Sequence, residues 1–281
     1  MTTHGLTFDL ESWHQLVRRR VTGETRAADE SVVAMVHRFL EVCDETNTRA
    51  TFFVVGLLAE RYPELVRDIA AQGHEIGSHS YQHRLVSALS RSDLKADLER
   101  SKKQLEDLTG TPVIGFRAPE FSVQSTEHFC FEVLAELGFQ YDSSVFPVHG
   151  TRYGIPTASR LPFSIRTPAG AIREYPLASL KVGQAQLPIA GGSYFRLIPG
   201  SVLRRALVSA EDDGCTAVLY FHPYEFSEDW LYVSGLGLKN LSIAKLLALH
   251  NFRTGKVRER LVEMLRSFSF APLGTIHRQA S

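Results

Sequence analysis

The chain has 281 residues, 44% of them hydrophobic, which suits a single globular α/β domain. Its 31 basic and 31 acidic residues give a formal net charge of zero, so nothing predicts a nucleic-acid-binding face. The N-terminus lacks the basic start and apolar run of a secretory signal, and no apolar run approaches the roughly 20 residues of a membrane helix. We therefore expect a cytoplasmic protein without a transmembrane segment.

The first half of the chain alternates short apolar runs with longer amphipathic segments. The short runs predict strands, and the amphipathic segments predict helices because their apolar residues recur with a helical period. Strands are predicted at residues 6–10, 50–56, 74–80, 113–119 and 139–147. Helices are predicted at residues 31–46, 57–73, 90–110 and 125–138.

Capping residues place some of the helix ends. In the long helix of residues 90–110, Ser92 is the predicted N-cap and Gly110 the stop signal. Pro63 marks either a break or a new helix start within residues 57–73. The three cysteines, Cys43, Cys130 and Cys215, fit neither a zinc knuckle nor a disulfide framework, so we expect free, partly buried thiols and a reducing compartment.

The second half of the chain shows a different sequence pattern. Residues 147–200 carry many Pro and Gly residues and short alternating pieces, which predict a β-rich insertion of hairpins covering one end of the fold. A helix, a strand and a C-terminal amphipathic helix follow at residues 201–214, 216–226 and 255–268. Strand–helix alternation as a whole predicts a parallel α/β fold, either a sheet or a barrel.

Ionisable residues recur where the predicted strands end. In (β/α) barrels the active site lies at the C-terminal ends of the strands, because these ends and the loops after them converge. Five strands would therefore deliver ionisable groups to one face of the fold: Asp9, Glu11, His79, His83, Arg117, Asp142 and His222.

Two histidines in the stretch GSHSYQH are candidate metal ligands. His79 and His83 are four residues apart and would face the same way on a helical turn. Asp9 and Glu11 alternate along a strand, so one carboxylate could complete a His₂–carboxylate set while the other serves as a base. The alternative is a polar turn with two ordinary histidines, next to two solvated acids at a strand end.

The ordered motifs TFDLE, HSYQH, FRAPEF, YDSSVFP and LYFHPYE resemble those of the NodB-type polysaccharide deacetylases, carbohydrate esterase family 4. The similarity is greatest to the branch associated with exosortase and exopolysaccharide gene clusters. It spans residues 5–226 and, more weakly, a C-terminal helical extension of residues 227–281. The resemblance implies one domain over residues 1–281 that forms a distorted (β/α)₇ barrel. It also implies a divalent metal, usually Zn²⁺, with Co²⁺, Mn²⁺ or Ni²⁺ as alternatives.

The resemblance assigns roles residue by residue. It implies that Asp9 is the catalytic base, that His79 and His83 bind the metal, that Arg117 orients the base and that His222 is the general acid. The sequence departs from the family in its first motif. Leu10 stands where many members have a metal-binding aspartate, so we assign the third ligand position to Glu11.

Two further acids, Glu120 and Asp142, lie in or directly after predicted strands near the site. The residue after Pro119 is often aromatic in the family, and its backbone N–H helps hold the oxyanion; here it is Glu120, and the aromatic residue follows as Phe121. The Glu120 side chain would then point away from the developing charge or bind a substrate hydroxyl or amine. Asp142 lies where an acid could orient His222.

Four residues are candidate carbohydrate contacts. Tyr194 and Arg196, in the stretch AGGSYFR, would lie on the rim of a pocket. Trp13 and Tyr224 flank the predicted catalytic strands and could stack on a sugar ring, although ordinary packing of amphipathic aromatics is the alternative.

Together these residues predict a bacterial hydrolase that removes an N-acetyl group from an amino sugar in a polysaccharide or its precursor. The partner would be a carbohydrate, not a nucleic acid. A related amide hydrolase acting on a formylated amino sugar or a cyclic ureide would have the same metal set. A barrel that binds carbohydrate but has lost catalysis is the other alternative, and it is favoured if Glu11 cannot bind metal.

Overall fold

The structure is a computed structural model that describes residues 2–13, 30–150, 153–183, 185–231, 247, 248, 250–252 and 254–280. Eleven strands lie within these ranges: β1 (His4–Leu10), β2 (Thr51–Val54), β3 (Glu75–Ser78), β4 (Gly115–Phe116), β5 (Tyr141–Asp142), β6 (Phe163–Thr167), β7 (Gly170–Glu174), β8 (Ser179–Val182), β9 (Ala185–Pro188), β10 (Val218–Phe221) and β11 (Phe270–Ala271).

Nine α-helices lie fully within the same ranges: α1 (Ser31–Glu45), α2 (Gly56–Arg61), α3 (Pro63–Ala71), α4 (Arg91–Thr109), α5 (Cys130–Glu136), α6 (Gly192–Leu197), α7 (Gly200–Asp212), α8 (Val257–Ser267) and α9 (Leu273–Ala280). Short 3₁₀ turns span Val86–Ala88, Pro119–Phe121, Pro223–Phe226 and Thr254–Lys256. No described helix has both the length and the apolar character needed to cross a bilayer.

One sheet organises the molecule, with its strands in the order β10-β1-β2-β3-β4-β5-β7-β6 and with β11 also paired to β1. All of these pairs are parallel except β6 with β7. The sheet curls back on itself, because the Ala178 N–H donates to the Val218 carbonyl of β10 at 3.0 Å. The predicted α/β fold and distorted barrel are confirmed.

Aromatic packing fixes the first layer of helices on the sheet. Phe8 of β1 stacks on Phe39 of α1 with ring centroids 4.3 Å apart, and Phe52 of β2 lies 5.6 Å from Phe39. All three side chains are fully buried. Because β1 is covered on both faces, its whole length is buried, and this rigid strand delivers Asp9 to the site.

The middle of the chain differs from its predicted arrangement. The predicted hairpin forms as β6–β7, but it extends the main sheet beside β5 and does not cover one end of the fold. Ile165 and Ile172 pair across this hairpin and are both buried, so the apolar face of the hairpin joins the main core. Strands β8 and β9 form a separate two-stranded sheet, and helix α6 in this region was not predicted.

Helix ends are placed by local hydrogen bonds. Pro63 starts the new helix α3, and Gly110 ends α4 at φ 67°, both as predicted. The N-cap of α4 was predicted wrongly: Ser90, and not Ser92, accepts the Asp93 N–H at 3.1 Å. Ser90 has the extended backbone that a cap needs, while Ser92 already lies in the first turn. The three cysteines are free and buried.

The difference between the two serines can be measured. Replacing Ser90 with Ala removes the cap of α4, and we expect the free energy of unfolding to fall by about 1 kcal/mol. Ser92→Ala is the matched control, since this serine lies on the exposed face of the first turn, and its effect should stay below about 0.5 kcal/mol. Urea denaturation of both variants tests the assignment, which equal effects would contradict.

Two histidines in the core are held in their neutral form. His74 Nδ1 accepts the Ala50 N–H at 3.1 Å, and His4 Nδ1 accepts the Ala217 N–H at 3.2 Å. Burial lowers the pKa of each imidazole to about 4. Both residues therefore make hydrogen bonds that depend on an unprotonated ring nitrogen.

This arrangement makes stability depend on pH. Because the pKa of His74 is lower in the folded chain than in the unfolded one, its contribution is complete above about pH 6.5 and is lost as the pH falls towards 4. The variant His74→Asn keeps an acceptor for the Ala50 N–H and cannot titrate. From pH 7 to pH 4, the free energy of unfolding should fall by roughly 2–3 kcal/mol less in this variant than in the wild type. Parallel pH–stability curves for the two proteins would contradict this.

Candidate active site and metal centre

The site lies where neighbouring parallel strands end. Glu11 follows β1, His79 follows β3, Arg117 follows β4 and His222 follows β10. These strands lie close together in the sheet, with only β2 between β1 and β3. Their carboxyl ends therefore deliver the four side chains to one edge of the curled sheet, as the sequence predicted.

Three buried side chains form a potential metal-binding cluster. One ligand atom from each of Glu11, His79 and His83 lies within 4.8 Å of the others. The His83 Nε2 and Glu11 Oε2 atoms are 2.5 Å apart. The approach of two ligand atoms to each other fits convergence on a common ion. A carboxylate with two imidazoles is also the donor set of many open divalent metal sites.

The electrostatics of the cluster suit a metal. His79 Nδ1 donates to the Arg117 carbonyl at 2.8 Å, which leaves Nε2 as its free nitrogen. Burial lowers the pKa of His79 to about 4. Burial alone would raise the pKa of Glu11, but its electrostatic and hydrogen-bonding interactions with the neighbouring imidazoles, above all those with His83, outweigh burial and hold that pKa below its usual range. Ionised carboxylates and neutral imidazoles are the protonation states that bind cations.

The two histidines do not come together on a helical turn, so this part of the prediction was wrong. They lie in a loop in which Ser80 and His83 have φ values of 64° and 55°. Asp97 of α4 holds the loop by accepting the N–H groups of Tyr81 at 2.8 Å and Gln82 at 3.0 Å. This irregular backbone brings the two rings to a centroid distance of 4.9 Å.

A buried ion pair lies beside the metal cluster. Arg117 Nη1 donates to Asp9 Oδ1 at 2.7 Å and to Thr7 Oγ1 at 2.7 Å. Its Nε donates to the Ser143 carbonyl and its Nη2 to the Ser143 hydroxyl, each at 2.8 Å. The guanidinium is fully buried and has all its nitrogens engaged. It therefore fixes the position of Asp9 and provides its counter-charge.

His222 completes the group from the other side. Its Nε2 lies 3.5 Å from Glu11 Oε1 and 4.0 Å from Asp9 Oδ2, while its Nδ1 lies 3.7 Å from Glu225 Oε1. Burial lowers the pKa of His222, but Glu225, Glu11 and Asp9 outweigh it and raise that pKa above its usual value. A protonated imidazole in this place can act as a proton donor.

Asp142 does not lie beside His222. It accepts the Ser144 N–H at 2.9 Å and the Ser144 hydroxyl at 2.8 Å, and Glu174 is its neighbour on the adjacent strand. The acids within 4.0 Å of the His222 ring among the described residues are Asp9, Glu11 and Glu225, so Asp142 is not the acid that orients it. The acid beside His222 is Glu225, which the sequence analysis missed although it follows three residues later in HPYE.

The two residues predicted to stack on a sugar ring are packed inside the protein. Trp13 and Tyr224 are each only 4% exposed, and their rings lie 5.2 Å apart. Tyr224 stacks on His222 at 4.8 Å, and Trp13 lies 4.8 Å from His250. Because these ring faces are already covered, the pair forms a wall behind His222 and presents no platform to a sugar.

The remaining candidates differ in their access to a ligand. Arg196 is 1% exposed, so it does not lie on a pocket rim. Tyr194 is partly exposed, and its hydroxyl lies 3.0 Å from that of Tyr153. Phe121 is buried against Tyr220 at 4.9 Å, which removes it as a sugar contact. Glu120 is partly exposed at φ 53°, in the tight turn that follows the Arg117 strand.

Comparison with protein families divides the chain into two regions. Residues 5–141 match the polysaccharide deacetylase family, and residues 143–278 match a domain of unknown function, DUF3473. The potential metal ligands and Asp9 lie in the first region, whereas His222 and Glu225 lie in the second. The site is therefore shared between the two matched regions.

Curated relatives carry deacetylase names. A peptidoglycan deacetylase of Helicobacter pylori is 30% identical over 118 residues, which are 42% of this chain and 39% of the relative. A peptidoglycan-N-acetylglucosamine deacetylase of Bacillus cereus is 32% identical over 101 residues, 36% of this chain and 46% of the relative. The chain thus matches less than half the length of these relatives.

Solved structures share the fold over nearly the whole chain. A candidate polysaccharide deacetylase from Mycobacterium smegmatis has a TM-score of 0.65 at 24% identity, covering 99% of this chain and 90% of its own. A Bacillus anthracis protein described as a CE4 family pseudoenzyme has a TM-score of 0.51 at 13% identity, covering 98% and 64%. The same fold therefore occurs in a protein described as inactive, and activity has to be argued from the site residues.

The family match and the fold agree with the motifs on which the site is built. The matched residues 5–141 contain Asp9, Glu11, His79, His83 and Arg117, the side chains that meet at the strand ends. Residues 5–141 therefore form a polysaccharide deacetylase domain, and a DUF3473 region at residues 143–278 follows it in the chain.

Proposed function

We propose that the protein is a metal-dependent hydrolase that removes an N-acetyl group from an amino sugar. The observation that carries the proposal is the buried cluster of Glu11, His79 and His83 directly beside the Asp9–Arg117 pair and His222. The polysaccharide deacetylase domain and relatives named peptidoglycan and chitooligosaccharide deacetylases support a hydrolase of carbon–nitrogen bonds.

In this proposal Glu11, His79 and His83 hold a divalent ion. Such an ion supplies a Lewis acid that polarises the acetyl carbonyl and makes a water molecule more acidic. Asp9 takes the proton from the attacking water. Because Arg117 occupies Oδ1 of Asp9, the free oxygen is Oδ2, which faces His222 across 4.0 Å.

The other steps use groups at the opposite side of the cluster. His222 gives its Nε2 proton to the departing nitrogen, so that the products are acetate and a free amine. The backbone N–H of Glu120 stabilises the developing oxyanion, as oxyanion-hole donors do. Tyr194, partly exposed beside Tyr153, and the partly exposed Glu120 side chain remain candidates for substrate contacts.

The same proposal extends to the metal and the substrate. We infer Zn²⁺ as the metal and an N-acetylated polysaccharide or its precursor as the substrate, with a role in exopolysaccharide biosynthesis. The cytoplasmic location stays a prediction from the sequence. Acetate release from free and polymeric N-acetyl sugars, with zinc, cobalt, manganese or nickel added, tests these features. Formylated sugars and cyclic ureides in the same panel test the related hydrolase activities.

The role of His83 is testable by metal analysis. We expect His83→Ala to lose most of its bound zinc and at least roughly 100-fold of its activity, because one of three ligands is gone. His37→Ala is the control, since His37 is exposed on α1. A His83→Ala protein with full metal content and full acetate release would show that the assignment is wrong.

A pair of carboxamide variants distinguishes the proposed roles of Asp9 and Glu11. Asp9→Asn should keep stoichiometric zinc but lose roughly 10²–10⁴-fold in kcat, because the base is gone and the ligands remain. Glu11→Gln should lose zinc affinity, since an amide oxygen replaces a charged ligand. The zinc content and the kcat of both variants decide which acid is the base and which is the metal ligand. Zinc loss in Asp9→Asn with full retention in Glu11→Gln would reverse the assignment.

A further inference from the structure

Glu225 is a buried carboxylate that the proposed mechanism does not use. It is 1% exposed, and neither of its oxygens has a hydrogen-bond partner among the described residues. Burying a polar group without partners is costly, so a carboxyl group in this position calls for a role. Among the described residues, the ring of His222 is the basic group within 4 Å of it.

The local backbone brings the two residues together. The 3₁₀ turn Pro223–Phe226 starts directly after His222, and the Glu225 N–H donates to the His222 carbonyl at 3.1 Å. A residue three positions later in such a turn returns to the same side as the first. Glu225 Oε1 therefore lies 3.7 Å from His222 Nδ1, on the side of the ring that faces away from the metal cluster.

A glycine provides the space for the carboxylate. A Cβ atom on Gly192 would lie 2.9 Å from Glu225 Oε1 and 3.8 Å from the Tyr220 hydroxyl. Gly192 also has φ 56°, a conformation that favours glycine. Gly192, the first residue of α6, thus allows this helix to approach the Glu225 side chain closely.

The two nitrogens of His222 have different acidic neighbours. Asp9 and Glu11 face Nε2, and within the described residues the acid nearest to Nδ1 is Glu225. Tyr224 stacks on the ring with an interplanar angle of 13°, which fixes the plane in which both nitrogens lie. The ring orientation is therefore defined by stacking, and its rotation within that plane depends on Glu225.

We propose that Glu225 is the positioning residue of His222. It accepts the Nδ1–H, so that the proton available for transfer is always the one on Nε2. As the carbon–nitrogen bond breaks, its electron pair goes to the nitrogen, which takes the Nε2 proton. The ring carries a proton on both nitrogens before this transfer, and it becomes neutral with its remaining proton on Nδ1, held by Glu225. This inference rests on the proposed function for the identity of the reaction but not for the His222–Glu225 contact.

The tautomer of His222 provides a readout that does not depend on activity. In the zinc-loaded protein, at a pH where the ring is neutral, ¹⁵N NMR should place the proton of His222 on Nδ1. Glu225→Leu, which removes the acceptor with little change in volume, should move that proton to Nε2. Glu225→Gln keeps an acceptor without charge and should give an intermediate result.

Activity provides the second readout. We expect Glu225→Leu to lose roughly 10–10³-fold in kcat with unchanged zinc content and a KM within about threefold of the wild type. Gly192→Ala should lower kcat in the same direction by pushing on Oε1. Glu228→Gln, on an exposed side chain of the same segment, and Gly200→Ala, where a Cβ meets nothing within 4 Å, are the controls.

The outcomes separate this inference from the proposed function. A wild-type tautomer in Glu225→Leu, or an unchanged kcat in an active enzyme, would overturn the role of Glu225. If the wild type releases no acetate from any sugar, the NMR result still decides whether Glu225 sets the tautomer. If Glu225→Leu does not fold, Glu225→Gln and Gly192→Ala carry the same test.

Discussion

The arrangement of the site depends on one buried guanidinium. Arg117 is fully buried, and its side chain binds Asp9, Thr7 and Ser143 while its own carbonyl accepts from His79. A single residue thus fixes the proposed base and one potential metal ligand in the same frame. A buried charge with every nitrogen engaged is costly to disturb, because losing any partner leaves part of it unsatisfied.

The sequence predicted those features that depend on local pattern and on strand ends. The parallel strands and the convergence of Asp9, Glu11, His79, His83, Arg117 and His222 are present in the structure. Roles that depend on the distance between remote segments were not predictable from one sequence. Asp142 was predicted to lie where it could orient His222, yet its carboxylate is held by Ser144, and Glu225 is the acid beside His222 Nδ1. The loop holding His83 was also missed, since its shape depends on Asp97, a residue of a later helix.

Burial accounts for the other differences. Trp13, Tyr224, Phe121 and Arg196 carry side chains that bind sugars in many proteins, and the sequence alone cannot tell whether their surfaces are covered. In the structure they are covered: Tyr224 lies against His222, and Phe121 lies against Tyr220. These residues shape the site from behind. Among the predicted substrate contacts, Tyr194 and Glu120 are partly exposed and keep access to a ligand.

The parallel pairing of β1 with β10 has a consequence for the order of events in synthesis. His222 and its strand are synthesised more than 200 residues after Asp9 and β1, with which they pair. The potential metal ligands can thus meet on the growing chain before the proposed proton donor has been made. A chain interrupted before β10 would keep Glu11, His79 and His83 but lack His222, so the proposed hydrolysis would require that synthesis pass β10.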